Sequence, residues 1–84
     1  MKIKVKNREF KIGDRVRIKS LKEIKRTLNS SGRTEEGIYL NPGMHSMLDG
    51  YDTIKETFIH NQKECYYLTD RNWAWSSEWL EHEN

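Results

Sequence analysis

The stretch Cys65-Tyr66-Tyr67-Leu68-Thr69-Asp70-Arg71-Asn72-Trp73-Ala74-Trp75-Ser76-Ser77-Glu78-Trp79-Leu80 carries five aromatic residues of a chain whose whole stock is three Trp, four Tyr and two Phe. Two runs rich in Tyr, Leu and Trp flank Asp70-Arg71-Asn72, residue types that accept turn backbone angles, so the spacing predicts a β-hairpin. A large ring covers about 150–250 Å² when buried, and a small chain does not leave three indoles in water without a reason. One face of the hairpin is therefore expected to be core, and the other is a candidate binding surface. Trp79, next to the last apolar position Leu80, is assigned to the core. Trp73 and Trp75 stay open between core and surface.

The rest of the chain supplies partners for that hairpin. Its 84 residues make one domain, 1–84, because a chain of this length has no apolar material for a second core. With 33% charged and 35% apolar residues, the apolar positions must be concentrated on one side of each element. Arg15-Val16-Arg17-Ile18-Lys19 shows the cleanest alternation and predicts a strand with Val16 and Ile18 inward. Lys2-Ile3-Lys4-Val5-Lys6 alternates too, and with Glu9-Phe10-Lys11-Ile12 it predicts an N-terminal hairpin over 2–12. Ser20-Leu21-Lys22-Glu23 reads as a capping box, opening an amphipathic helix with Leu21, Ile24 and Leu28 on one face.

Residues 29–37 read as a mobile polar loop. Asn41-Pro42-Gly43 turns the chain into one or two helical turns over 43–49, whose Met44 and Met47 plug the core and which Gly50 closes in the left-handed region. Thr53 to His60 reads as one strand, and 81–84 as a frayed tail. The expected fold is mainly β, a small barrel of about five strands with one or two short helical insertions.

Phe10-Lys11-Ile12-Gly13-Asp14-Arg15-Val16-Arg17-Ile18 resembles the opening strand of SH3-like barrels of the KOW and mind-bomb type. Taken in order, Gly13-Asp14-x-Val16-x-Ile18-x-Ser20, Asn41-Pro42-Gly43-Met44-x-x-Met47, Tyr66-Tyr67-Leu68 and Trp73-x-Trp75-Ser76-x-Glu78-Trp79-Leu80 resemble small proteins encoded by phages and prophages of Gram-positive bacteria. The resemblance implies a five-stranded SH3-like barrel with inserted helices, and a provenance rather than an activity. The segment from Asn29 to Gly37 departs from the pattern.

Charge is unevenly distributed. Residues 1–26 hold eleven basic and three acidic side chains, a balance of +8, and the remainder holds four basic and ten acidic, −6, which returns the chain's +2. Either the N-terminal half meets an anionic partner, or the two halves neutralise one another within the fold. The lone Cys65 offers no internal disulfide and no thiol set for zinc, which suits a reducing cytoplasm. No run approaches the ~20 apolar residues of a membrane span, and no secretion signal is evident at the N-terminus.

His45, His60 and His82 lack metal-ligand spacing, and the glycines do not form a phosphate-cradling loop. Glu35-Glu36 and the Asp49, Asp52 pair read as solvated loop charges rather than general acids. The expectation is a non-enzyme with no cofactor, no metal and no small-molecule substrate. Two binding readings remain. In the first, Tyr39, Tyr67, Trp73 and Trp75 form an aromatic groove for a protein or peptide segment, as in SH3-type recognition, with a host protein as the partner of a phage-derived modulator. In the alternative, Lys4, Lys6, Arg15, Arg17, Lys19, Lys22, Lys25 and Arg26 form a basic surface for nucleic acid.

Overall fold

A computed structural model describes residues 10–83. The expected hairpin over 2–12 falls largely outside them; within them Phe10 is buried and Ile12 exposed. Among these residues the architecture is mainly β, with six strands in two three-stranded antiparallel sheets.

In the first sheet β1 (Arg15–Ile18) is central, flanked by β2 (Tyr51–Thr53) and β6 (Leu80–His82). Val16 and Ile18 point into the core as their alternation requires, and Arg17 between them faces outward opposite Tyr51 and Glu81. In the second sheet β4 (Lys63–Tyr67) is central, between β3 (Glu56–His60) and β5 (Ala74–Ser76). β4 and β5 form the aromatic hairpin, with Cys65 opposite Ser76, Tyr66 opposite Trp75 and Tyr67 opposite Ala74. The connection between them spans 68–73, wider than the Asp70-Arg71-Asn72 turn.

Both long β segments cross from one sheet to the other, and this replaces a single ladder by two. The run expected as one strand over 53–60 is β2 and β3. At its corner the Ile54 N–H donates to the Asp14 carbonyl at 2.9 Å, while the next amide, Lys55, donates to the Tyr67 carbonyl at 2.8 Å. Ile54 is fully buried at this bend. The C-terminal run makes the second crossing. β5 ends at Ser76, whose hydroxyl accepts from the Glu78 N–H at 3.1 Å and starts a 3₁₀ turn over Ser77–Trp79. β6 then pairs with β1, and the Glu83 N–H donates to the Arg15 carbonyl at 3.2 Å. Up to residue 83, the segment expected to fray is thus a paired strand and its extension.

The helix α1 (Leu21–Lys25) begins at Ser20 with both bonds of the capping box present, and only Ile24 is buried on it. It is shorter than the apolar spacing through Leu28 suggests. A 3₁₀ turn over Pro42–Met47 follows, capped by Asn41, with Met44 buried. The left-handed residue that closes it is Asp49, φ 68°, not Gly50. Aspartate tolerates this region better than most side chains.

Between these helices the chain is more closely organised than a polar loop. The Asn29 side chain accepts from the Ser31 and Arg33 amides, Thr34 bonds Ile38 through both backbone and hydroxyl, and Thr34 and Glu36 are buried. Gly37 adopts φ 100°, a left-handed value that favours glycine. Beside it, Asn61 Nδ2 donates to the Glu36 carbonyl at 2.6 Å and ties the segment to the β3–β4 turn.

A single buried cluster unites Val16, Ile18, Ile24, Ile54, Tyr66, Leu68, Trp75 and Trp79 with Ile38, Leu40 and Met44. Trp75 and Trp79 meet edge to face, 5.9 Å between centroids at 89°. Full burial of two indoles gives this small domain much of its apolar payload.

Candidate functional site

The aromatic residues divide between core and surface. Trp75 is fully enclosed, because in the pairing that sets it opposite Tyr66 both rings face the centre. It has no exposed surface and cannot line a groove, which corrects its place among the groove residues. Trp73 is half-buried: it precedes β5, so the strand's alternation does not dictate its direction. Its indole lies against Gly43, where an added Cβ would come within 2.7 Å of Cζ2. Glycine at 43 is thus what lets the 3₁₀ turn approach the ring.

Tyr67 is half-buried and stacks on Phe58, 4.9 Å between centroids at 26°. Its register neighbour Ala74 adjoins Trp73, so Tyr67 and Trp73 occupy one end of the β4–β5 hairpin. Tyr39 is 42% exposed. It is held by the Arg33 guanidinium 5.2 Å from its centroid and by the bridge that pairs these two residues.

The basic residues also divide. Lys4 and Lys6 lie outside the described residues. Arg15 pairs with Glu83 at 3.1 Å and lies 5.9 Å from the Tyr51 ring centroid. Arg17 meets Glu81 at 2.6 Å, Asp49 at 3.3 Å and Glu23 at 3.5 Å. The Glu81 hydrogen bond, with the three carboxylate charges, raises the guanidinium pKa against the opposing effect of desolvation. Apart from Glu23, the partners of Arg15 and Arg17 come from the acidic remainder of the chain, the neutralisation that the charge asymmetry allowed. Lys19 is half-buried, and Lys22, Lys25 and Arg26 are exposed on and just after α1.

A third constellation escaped the sequence reading. Glu35, Glu36, Asn61, Gln62 and Lys63 line a cleft of about 360 Å³ where the 29–41 segment meets the β3–β4 turn. Lys63 Nζ stands 3.6 Å from Glu35, 4.0 Å from Glu36 and 3.6 Å from Glu78. Burial lowers the Lys63 pKa, but Glu78, Glu36 and Glu35 together outweigh it and raise the group above its ordinary value. Glu36 is not a solvated loop charge. Its side chain has 0% exposure, and neither carboxylate oxygen has a hydrogen-bond partner. Nothing in Glu35-Glu36 alone signals this, because the segment is tied down by Asn61, 25 residues away.

Cys65 is buried beneath the same region. Burial, then the charges of Glu36 and Glu64, push its thiol up to about 11 against a smaller opposing effect of Lys63. A thiol held protonated is a poor nucleophile at neutral pH. Among the described residues no group of three or more His, Cys, Asp or Glu side chains is placed to hold a metal ion. No helix among them is long and apolar enough to cross a membrane. Comparison with protein-family models, with curated proteins and with solved structures finds no match for this chain.

Proposed function

We propose that this protein is a non-catalytic interaction module of the SH3-like type, working in the cytoplasm and binding an extended segment of another protein through Tyr39, Tyr67 and Trp73. The observation that carries the reading is that these rings keep part of their surface in solvent, Tyr39 42% of it, while Trp75 and Trp79 complete the core. Rings already fixed by stacking or by a guanidinium lose little side-chain freedom on binding, and aromatic anchors in a pre-set pose are the usual source of affinity for extended peptides. The two crossings between sheets support kinship with small barrels. The motif order that resembles phage and prophage proteins makes a host protein the partner we propose.

Nucleic-acid binding is the weaker proposal, because Arg15 and Arg17 are occupied by acidic partners. It would rest on Lys19, Lys22, Lys25 and Arg26. Titration with random DNA and RNA at about 50 mM salt tests it, since phosphate contacts weaken steeply as salt rises.

The test of the main reading compares host proteins retained by immobilised wild type with those retained by Tyr39→Ala/Tyr67→Ala. A specific partner retained by the wild type and lost by the double variant, with the fold intact, supports it. Equal retention by both contradicts it.

A further inference from the structure

The acidic cleft is lined by residues other than the aromatic ones and has a chemistry of its own. Glu35, Glu36 and Glu78 converge on the single ammonium of Lys63, so three carboxylates and one cation leave a formal charge of −2. One of these carboxylates, Glu36, is fully enclosed, and its oxygens have no hydrogen bond. Taking a carboxylate out of water without hydrogen bonds is strongly unfavourable, and an ion pair at 4.0 Å does not replace the lost hydration. The site is therefore short of donors and of positive charge. The cleft where Glu36 lies is also lined by Asn61 and Gln62, whose side-chain amides offer further carbonyl acceptors.

We propose that this cleft binds a guanidinium group, the arginine side chain of a partner protein, with Glu36 as its bidentate acceptor and Glu35 and Glu78 at its rim. A guanidinium presents two parallel N–H donors that match the two free oxygens of one carboxylate, and it is more weakly hydrated than an ammonium, so it enters an enclosed site at lower cost. Lys63 holds the place in the free protein. Its side chain is 40% exposed and contacts Glu35, itself 88% exposed, so the ammonium can move outward with Glu35 as an arginine enters. The proposal rests on the interaction-module reading only in that the arginine arrives on a protein.

The experiment titrates isotope-labelled full-length protein with the blocked tripeptide acetyl-Gly-Arg-Gly-amide, its lysine counterpart, and sodium chloride at matched ionic strength. Saturable amide shifts at Gly37, Asn61, Gln62 and Lys63 are expected with the arginine peptide, at least about tenfold tighter than with the lysine peptide. Glu36→Gln, which keeps the shape and removes the charge, should abolish the shifts. Glu35→Gln/Glu78→Gln, altering only side chains that reach solvent, should weaken binding severalfold without a change of fold. Lys63→Met removes the resident competitor and should tighten it severalfold. Equal binding of the lysine peptide, shifts reproduced by salt alone, or undiminished binding by Glu36→Gln would overturn the proposal, as would calcium ions displacing the arginine peptide at equal concentration. Tyr39→Ala/Tyr67→Ala should bind the arginine peptide like the wild type, so failure here and failure of the aromatic surface are read separately.

Discussion

The indole N–H of Trp79 donates to the Thr27 hydroxyl at 2.9 Å across 52 residues, and that hydroxyl donates in turn to the Ile24 carbonyl at 2.7 Å. This relay ties the C-terminal 3₁₀ turn to the end of α1 and satisfies a donor that would otherwise be buried unpaired. Thr27→Val keeps the shape and removes the acceptor. It should cost about 1–3 kcal/mol in urea denaturation, the penalty of an unmet buried donor, and Thr27→Ser should recover most of it.

Arg17 joins β1 to three carboxylates contributed by α1, the 48–50 turn and β6. Arg17→Gln should lower the melting temperature at low salt, and the gap from wild type should narrow as salt is raised, since partly exposed pairs are screened. A gap that does not depend on salt would show that the guanidinium stabilises by packing instead.

Glu23 accepts from the Ser20 backbone N–H and hydroxyl, which hold its carboxyl below the ordinary value of 4.5. The folded value being depressed, its contribution to stability is present above the unfolded value and lost as pH falls through the folded one. Glu23→Gln does not titrate. The stability difference between wild type and Glu23→Gln should therefore be largest at neutral pH and shrink as pH falls below the ordinary value of 4.5. Denaturation curves at a series of pH values check this.

Cys65, buried and with its thiol pushed up to about 11, should react with a disulfide reagent at pH 8 far more slowly than an unfolded thiol. Its native-state reaction rate should rise with urea in step with global unfolding. A fast reaction in the native protein would mean that the second sheet opens locally.

Strands whose side chains alternate between core and solvent can be read from the residues alone. Val16 and Ile18 declare β1, and the Ser20 to Glu23 box declares α1, because each pattern is local. β6 is not declared this way. Glu81 and His82 look like a polar tail, yet their backbone pairs with Val16 and Arg17, an arrangement that side-chain polarity does not report. Trp73 and Trp75 share a parity that suggests one fate, but only Trp75 lies within the strand. Glu36 has the residue pattern of a loop, and only the approach of Asn61 and Lys63 from the β3–β4 turn places it in a cleft. Local signals thus revealed β1, the aromatic hairpin and the cap, while β6 and the candidate sites depend on contacts between segments far apart in sequence.

The proposed function gives the aromatic hairpin two purposes, with Trp75 holding the core and the half-buried Tyr67 meeting a partner. Urea denaturation of Trp75→Ala and Tyr67→Ala, with the affinity of each for the captured partner, tests it most directly. Trp75→Ala should lose about 3–5 kcal/mol or fail to fold. Tyr67→Ala should lose clearly less, about 1–3 kcal/mol for its half-buried area and its stack on Phe58, while its affinity falls at least tenfold. A Trp75→Ala protein as stable as wild type, or a Tyr67→Ala protein with undiminished affinity, would contradict the account.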